Sequence, residues 1–190
     1  FTDTGSGRKE INLDDPYLMV MFHPVTTEIN QLKEQTKILL SAIHELSVPT
    51  FWFWPNEDSG AEKISSVLRE FSDREKDHFI KFMRYLPPRQ FLHLMRKANC
   101  FAGNSSAGIK ECSVLGVPVV NVGSRQQKRL RPQNVIDAPF DAKTLKQVIQ
   151  EQIQRGPYAP ALEYDQLDTA KRIADTIARI SPEVQKYFHD

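Results

Sequence analysis

One stretch of the sequence sets the architecture of the whole chain: Gly103-Asn104-Ser105-Ser106-Ala107-Gly108-Ile109-Lys110-Glu111. The largely apolar run at residues 99–102 precedes it and is typical of a buried strand. After the turn, apolar residues recur at helical spacing: Ile109, Cys112 and Leu115. Gly116 and Pro118 then end the helix. The stretch is therefore predicted to be a tight polar turn between a strand and a helix.

Such a turn suits a phosphate group. It presents unpaired backbone N–H groups and the positive end of a helix dipole, and Ser105 and Ser106 add hydroxyls at the same place. Glu111 comes about one turn inside the predicted helix, and its side chain leans back toward the helix start. A carboxylate there can accept hydrogen bonds from both hydroxyls of a ribose. The alternative is that these serines and Asn104 only cap the helix.

Composition places the chain among ordinary globular domains. It has 190 residues, of which 40% are hydrophobic and 26% charged, and its net charge is +1. We therefore expect neither nucleic acid nor a membrane as a partner. No long apolar run predicts a membrane span, and no signal peptide is expected. Cys100 and Cys112 stand in apolar contexts and are predicted to be free thiols in a reducing cytoplasm. No Cys/His spacing indicates a metal site, and no cofactor is expected.

Strands and helices are predicted to alternate along the chain. The apolar runs that predict strands lie at residues 17–22, 50–54, 79–83, 100–102, 118–121 and 134–136. Besides the helix after the central turn, helices are predicted at 26–46, 61–71, 90–97, 141–154, 167–180 and 182–188. This alternation predicts a parallel sheet covered on both faces, a three-layer α/β/α Rossmann-like fold. Residues 1–15 are predicted to be a linker or domain-connecting segment, and residues 16–190 the domain.

A short loop segment with polar residues, Pro or Gly follows each of the first five predicted strands. These segments lie at residues 23–24, 56–60, 86–87, 103–106 and 123–125. In a parallel sheet all of these lie at the carboxyl edge, where ligands bind. His23 there could contact a phosphate or sugar, or give a proton to a departing phosphate; the alternative is a histidine that merely ends its strand. Asn56, Asp58 and Gly60 could contact the ligand, or simply form the turn.

A basic run extends along the loop after the fifth strand. Arg125, Lys128, Arg129 and Arg131 occur without an acidic residue before Asp137. A flexible cationic loop beside the central turn would neutralise a diphosphate, whereas the alternative is a solvated loop. The aromatic run at residues 51–54 is predicted to be core packing, with a base-stacking platform as the less supported alternative. From the residues alone, the prediction is a domain that binds a nucleotide diphosphate with a sugar.

Five spaced motifs occur in order and resemble a known family. They are His23-Pro24-Val25-Thr26-Thr27, Pro55-Asn56-x-Asp58-x-Gly60, Gly103-Asn104-Ser105-Ser106-x-Gly108-x-x-Glu111, Gly116-x-Pro118-Val119-x-Asn121, and Gly123-x-Arg125-Gln126 with Arg129 and Asn134. From about Tyr17 to its end, the chain resembles the C-terminal half of the UDP-N-acetylglucosamine 2-epimerases. It is most similar to the hydrolysing branch, which makes N-acetylmannosamine for sialic acid synthesis.

The resemblance implies a glycosyltransferase-B-like enzyme whose active site lies between two Rossmann-like domains. This chain would be the second domain, which holds UDP and the UDP moiety of UDP-N-acetylglucosamine. The full-length enzyme would be a homo-oligomer. The residues implied to bind UDP are Asn56, the backbone around Leu86, Ser105, Ser106, Glu111 and Arg125. His23 would be a phosphate-side or catalytic residue, and the acidic catalytic residues would belong to the first domain, so the isolated domain is expected to be inactive.

The implied reaction removes the proton at C2 of the sugar and expels UDP, and water then adds to the 2-acetamidoglucal intermediate. Glu62 and Tyr85 depart from residues that take part in feedback binding of activated sialic acid in some animal relatives, so we predict no such regulation. Lys128-Arg129 replaces a Gly-Arg pair. The sequence leaves open a reversible epimerase, a diacetylated sugar, the donor domain of a glycosyltransferase, and a non-catalytic binding module.

Overall fold

The computed structural model describes residues 11–75, 79–164 and 167–181. In these ranges six strands form one sheet: β1 Leu18–Met21, β2 Thr50–Phe53, β3 Ile80–Met83, β4 Cys100–Gly103, β5 Val119–Val122 and β6 Val135–Ala138. All neighbouring strands are parallel, in the order β3-β2-β1-β4-β5-β6. The six predicted strands and the parallel sheet are therefore confirmed, with boundaries shifted by one or two residues.

Seven helices accompany the sheet in the described ranges. They are α1 Leu32–Leu46, α2 Ala61–Arg74, α3 Pro88–Lys97, α4 Ser106–Ile109, α5 Glu111–Leu115, α6 Ala142–Arg155 and α7 Thr169–Arg179. The helix predicted at 182–188 and the first ten residues of the predicted linker lie outside the described residues. Ile11 and Leu13 pack against the core, so the described end of that segment lies on the domain.

The sheet separates two apolar cores, because alternate strand residues point to opposite faces. On one face, Leu18, Val20 and Trp52 pack with buried residues of α1, α2 and α6. On the other face, Met19 and Phe51 pack with residues of α3 and α5. This is the predicted three-layer Rossmann-like arrangement. The aromatic run is core packing as expected: Phe51, Trp52 and Phe53 are buried.

The strand order reverses between β1 and β4. These strands lie side by side, although their aligned partners Leu18 and Cys100 are 82 residues apart in the chain. At the carboxyl end, Met21 is paired with Gly103. Gly103 has a φ of +130°, and a Cβ added there would lie 2.1 Å from the carbonyl oxygen of Met21. Only glycine permits this close approach, and it brings the residues that follow β1 and β4 together.

The helix after the central turn differs from the prediction. It consists of α4 and α5, with a break at Lys110, where φ is −89° and ψ is −70°. Glu111 is consequently the first residue of α5 rather than a residue one turn inside a single helix. A four-residue helix carries only a small dipole, so an anion at this turn would depend mainly on side chains and backbone N–H groups.

The helix predicted at 26–46 also begins later than expected. Residues Thr26–Glu28 form one turn of 3₁₀ helix, and α1 starts at Leu32. At the other end of the domain, Asp141 caps α6 by accepting a hydrogen bond from the Thr144 backbone N–H over 2.8 Å. None of the helices in the described ranges is both long and apolar enough to cross a bilayer.

Candidate functional site

The reversal of strand order brings together residues from three loops. His23 follows β1, Asn104 and Ser105 follow β4, and Arg125 follows β5. All three loops leave the carboxyl edge of the sheet, where side-by-side strands with connections in opposite directions leave a crevice. The predicted clustering of His23, Ser105 and Arg125 is therefore consistent with the topology, and hydrogen bonds through Asn104 connect these loops directly.

Asn104 joins the ends of β1 and β4. The backbone N–H of His23 donates to Asn104 Oδ1 over 2.7 Å, and Asn104 Nδ2 donates to the carbonyl oxygen of His23 over 2.8 Å. The Asn104 carbonyl oxygen accepts hydrogen bonds from Arg125 Nη1 over 3.3 Å and from Gln126 Nε2 over 2.8 Å. The sequence suggested only helix capping for this asparagine, so its bonds to His23 and to the basic loop were missed.

The imidazole of His23 is held in one tautomer. The backbone N–H of Asn56 donates to His23 Nδ1 over 3.4 Å, so in the neutral ring the proton is on Nε2. His23 is only 3% exposed. The pKa of His23 is lowered from 6.5 to about 4, mainly by burial and also by the positive charge of Arg125, whereas Asp58 acts in the opposite direction. At neutral pH the ring is therefore an uncharged hydrogen-bond donor.

The two serines differ in their contacts. Ser105 is the N-cap of α4, and its Oγ accepts a hydrogen bond from the Ala107 backbone N–H over 3.3 Å. The capping alternative is thus correct for Ser105, which does not prevent its hydroxyl from donating to a ligand. Ser106 makes no side-chain hydrogen bond within the part of the chain that the structure describes.

Three further predicted site residues take no part in the hydrogen bonds around Asn104. Glu111 is exposed at the start of α5, and its carboxylate has no partner among the described residues. Asn56 is exposed in the loop after β2. Leu86 buries its side chain in the core against α3, so only its backbone, in the loop after β3, is suited to contact a ligand. Beyond Asn56, an open cleft of about 560 Å³ is lined by residues that include Trp54, Arg69 and Arg84.

The basic loop is anchored, although the sequence suggested a flexible one. Its start is held by the hydroxyl of Ser124, which donates to Glu28 Oε1, while Gln35 Nε2 donates to the second carboxylate oxygen over 2.8 Å. Farther along, Arg131 pairs with Asp137 over 3.0 Å. Arg125, Lys128 and Arg129 have no carboxylate within ion-pairing distance in the described ranges. The anchored loop therefore presents three uncompensated cations.

Glu28 and Gln126 were not identified as site residues from the sequence. Glu28 lies 96 residues from Ser124, and no local pattern reveals such a contact. Cys100 and Cys112 are buried free thiols, as predicted, and burial raises the pKa of both above the ordinary value. Across residues 11–75, 79–164 and 167–181, no group of His, Cys, Asp and Glu side chains is arranged to hold a metal ion.

The fold and the site define the class of the domain: a Rossmann-like α/β domain with a donor-rich carboxyl edge. The chain belongs to the UDP-N-acetylglucosamine 2-epimerase family, because the model of that family matches residues 3–178. The resemblance to this family is thereby confirmed.

Two relatives illustrate the similarity. The UDP-N-acetylglucosamine 2-epimerase of Neisseria meningitidis serogroup B is 32% identical over 166 residues, which are 85% of this chain and 42% of the relative. The hydrolysing GDP/UDP-N,N'-diacetylbacillosamine 2-epimerase of Campylobacter jejuni is 32% identical over 133 residues, which are 70% of this chain and 34% of the relative. The chain thus spans less than half the length of the curated relatives that it matches.

A solved structure shows the same fold. The UDP-GlcNAc 2-epimerase of Methanocaldococcus jannaschii, crystallised in complex with UDP-GlcNAc and UDP, superposes with a TM-score of 0.66 at 15% sequence identity. The superposition covers 86% of this chain and 45% of that chain. It confirms the predicted fold, a Rossmann-like half of a glycosyltransferase-B-like protein.

Proposed function

We propose that this chain is the UDP-binding half of a hydrolysing UDP-N-acetylglucosamine 2-epimerase, which converts UDP-N-acetylglucosamine and water into N-acetylmannosamine and UDP. Membership of the epimerase family supports the reaction class, and a relative whose name includes the word hydrolysing supports that branch. We further propose an N-terminal Rossmann-like domain as the partner of this half, homo-oligomeric assembly of the full-length enzyme, a cytoplasmic location, and a role in sialic acid synthesis.

One observation carries the proposal: an uncharged, buried imidazole and an exposed guanidinium meet at the switch point of the sheet, next to two serines. The polar hydrogen of His23 at Nε2 and the cation of Arg125 are both donors, as are the hydroxyls of Ser105 and Ser106. A cluster of donors is suited to an anion that carries two phosphates. In this assignment the serines hold the diphosphate, and Arg125 neutralises its charge.

The nucleoside would extend from the diphosphate along the edge of the sheet. Three strand spacings, or about 14 Å, separate β4 from β3, which is of the order of the length of a nucleoside diphosphate. The backbone around Leu86 would then meet the uracil, and Asn56 would lie between the base and His23. The unpaired carboxylate of Glu111 would accept the two ribose hydroxyls.

The same donors would promote the departure of UDP. Negative charge builds up on the diphosphate when the bond from C1 of the sugar to the phosphate oxygen breaks, and prearranged donors stabilise this charge. His23 would contribute a hydrogen bond from Nε2 as a neutral ring, because its low pKa keeps it uncharged at pH 7. The carboxylate that removes the proton at C2 is proposed to belong to the N-terminal half.

Product analysis tests this function. The complete enzyme is incubated with UDP-N-acetylglucosamine, and the products are followed by proton NMR. We expect free N-acetylmannosamine and UDP, and we expect the 190-residue chain alone to bind UDP without turnover. Accumulation of UDP-N-acetylmannosamine would instead identify a reversible epimerase, and a glycosylated acceptor would identify a transferase; either result overturns the hydrolysing assignment.

A further inference from the structure

Asn104 lies at the centre of the candidate site without belonging to the set of residues proposed to touch UDP. It is 1% exposed, and it takes part in four hydrogen bonds to residues of other loops. Both its Oδ1 and its Nδ2 form hydrogen bonds with the backbone of His23. Its own carbonyl oxygen is shared by Arg125 and Gln126. One residue thereby joins the loops that follow β1, β4 and β5.

This arrangement fixes the relative positions of two donors. The carboxamide of Asn104 fixes the backbone of His23 at the end of β1. The carbonyl oxygen of Asn104 holds the guanidinium of Arg125 near the turn after β4. Ser105 is the next residue in the chain and shares the backbone of that turn. A displacement of Asn104 would therefore move an imidazole, a guanidinium and a hydroxyl together.

We propose that Asn104 is a positioning residue for binding of the diphosphate. It acts by fixing the positions of His23 and Arg125 relative to Ser105 and Ser106. The inference rests on the proposed function, since it takes UDP as the ligand. It goes further, because it assigns the geometry of the donors to a residue that does not contact the nucleotide. Without the carboxamide, the N–H and C=O groups of His23 would lose their partners, and the turn would open to water.

The chain offers a matched control in Asn134. Asn134 is 2% exposed, its Nδ2 donates to the Val117 carbonyl oxygen over 2.7 Å, and its Oδ1 accepts from the Ser113 hydroxyl over 3.0 Å. It therefore has the same side chain, burial and number of side-chain bonds as Asn104. It precedes β6 and lies at the amino edge of the sheet, opposite to the candidate site.

The experiment compares Asn104→Ala with Asn134→Ala in the 190-residue chain. UDP affinity is measured by calorimetry, and the pKa of the His23 imidazole is measured by NMR titration. For Asn104→Ala we expect about tenfold weaker UDP binding, the usual loss for one or two buried hydrogen bonds. We also expect a rise of the His23 pKa from about 4 toward its ordinary value of 6.5, because water would reach the ring. Asn134→Ala should change neither quantity.

The proposal is overturned if both variants leave the UDP affinity and the His23 pKa unchanged, or if both change them equally. Gln126→Met provides a second test that leaves Asn104 in place and removes only the bond to its carbonyl oxygen. Like Asn104→Ala, this variant should weaken UDP binding. If Asn104→Ala does not fold, an unchanged UDP affinity of Gln126→Met counts against the proposal. A wild-type chain that binds no UDP refutes the proposed function, whereas the His23 pKa still decides whether Asn104 positions this ring.

Discussion

The backbone N–H of Asn56 donates a hydrogen bond to Nδ1 of His23, over 3.4 Å, although 33 residues separate them in the chain. This contact connects the loop after β2 with the loop after β1. It also leaves Nε2 of a neutral ring as the donor. Because the ring is buried and lies near Arg125, protonation of His23 is costly, which has consequences for stability as well as for binding.

Stability should decrease in acid because of His23. Its pKa is about 4 in the folded protein and 6.5 when unperturbed, so the unfolded chain takes up the proton first as the pH falls. The uncharged ring therefore contributes its full stability above pH 6.5. As the pH falls from 6.5 to about 4, the free energy of unfolding should decrease by about 3 kcal/mol. The free energy of unfolding, measured with urea, should depend less on pH in His23→Gln than in the wild type over this range.

The control for that experiment is His93→Gln, which changes an exposed histidine on α3. This variant should retain the pH dependence of the wild type. Equal slopes for the wild type and His23→Gln would show that His23 is not buried as an uncharged ring.

Arg125→Gln should weaken UDP binding about ten- to a hundredfold, since it removes a charge-assisted donor to the diphosphate. The same change should raise the pKa of His23, because the charge of Arg125 lowers it. Calorimetry and NMR titration measure the two effects. Arg129→Gln, on an exposed part of the same loop, is the control for net charge, and a comparable loss of affinity in both variants would indicate general electrostatic attraction only.

Glu111→Ala should weaken UDP binding far more than the binding of inorganic phosphate, since Glu111 is assigned to the ribose. We expect about a tenfold loss for UDP, as for other hydrogen bonds to a charged group. Glu151→Ala on α6 is the control, because Glu151 is equally exposed and hydrogen-bonds only to Gln147 in the described ranges. An equal loss of UDP and phosphate affinity in Glu111→Ala would refute the ribose assignment.

Gly103→Ala should destabilise the domain severely, or prevent folding, because its methyl group would overlap the Met21 carbonyl oxygen. Gly156→Ala is the matched control: its φ is +74°, but no atom lies within 4 Å of the added Cβ. With ψ at −168°, this residue has a backbone conformation that is almost confined to glycine, so alanine should cost only that backbone strain, about 1–3 kcal/mol. Thermal unfolding compares the two, and similar melting temperatures would show that β1 and β4 are not in such close contact at this position.

The sequence was sufficient to predict the sheet, because its strands are short continuous apolar runs that alternate with helices. It also predicted correctly that the polar residues lie after the strands, since the carboxyl ends of parallel strands share one edge. The roles assigned to Leu86 and Glu111 came from the family resemblance, and they stay predictions that the experiments above address.

The contacts that organise the edge could not be predicted from local patterns. The bonds from Asn104 to His23 extend across 81 residues, and the bond from Ser124 to Glu28 extends across 96. Serine and asparagine after a strand suggest a helix cap, which describes Ser105 but not Asn104. The break at Lys110 was missed because the apolar spacing of Ile109 and Cys112 continues through it, and side-chain periodicity does not record a local change in φ and ψ.

A calorimetric titration of the 190-residue chain with UDP, beside one with inorganic phosphate, examines the nucleotide assignment on which all of these roles depend. We expect saturable one-to-one binding of UDP that is much tighter than that of phosphate. A folded chain that takes up no UDP, or that binds UDP and phosphate equally well, would contradict the assignment of this edge to a uridine nucleotide.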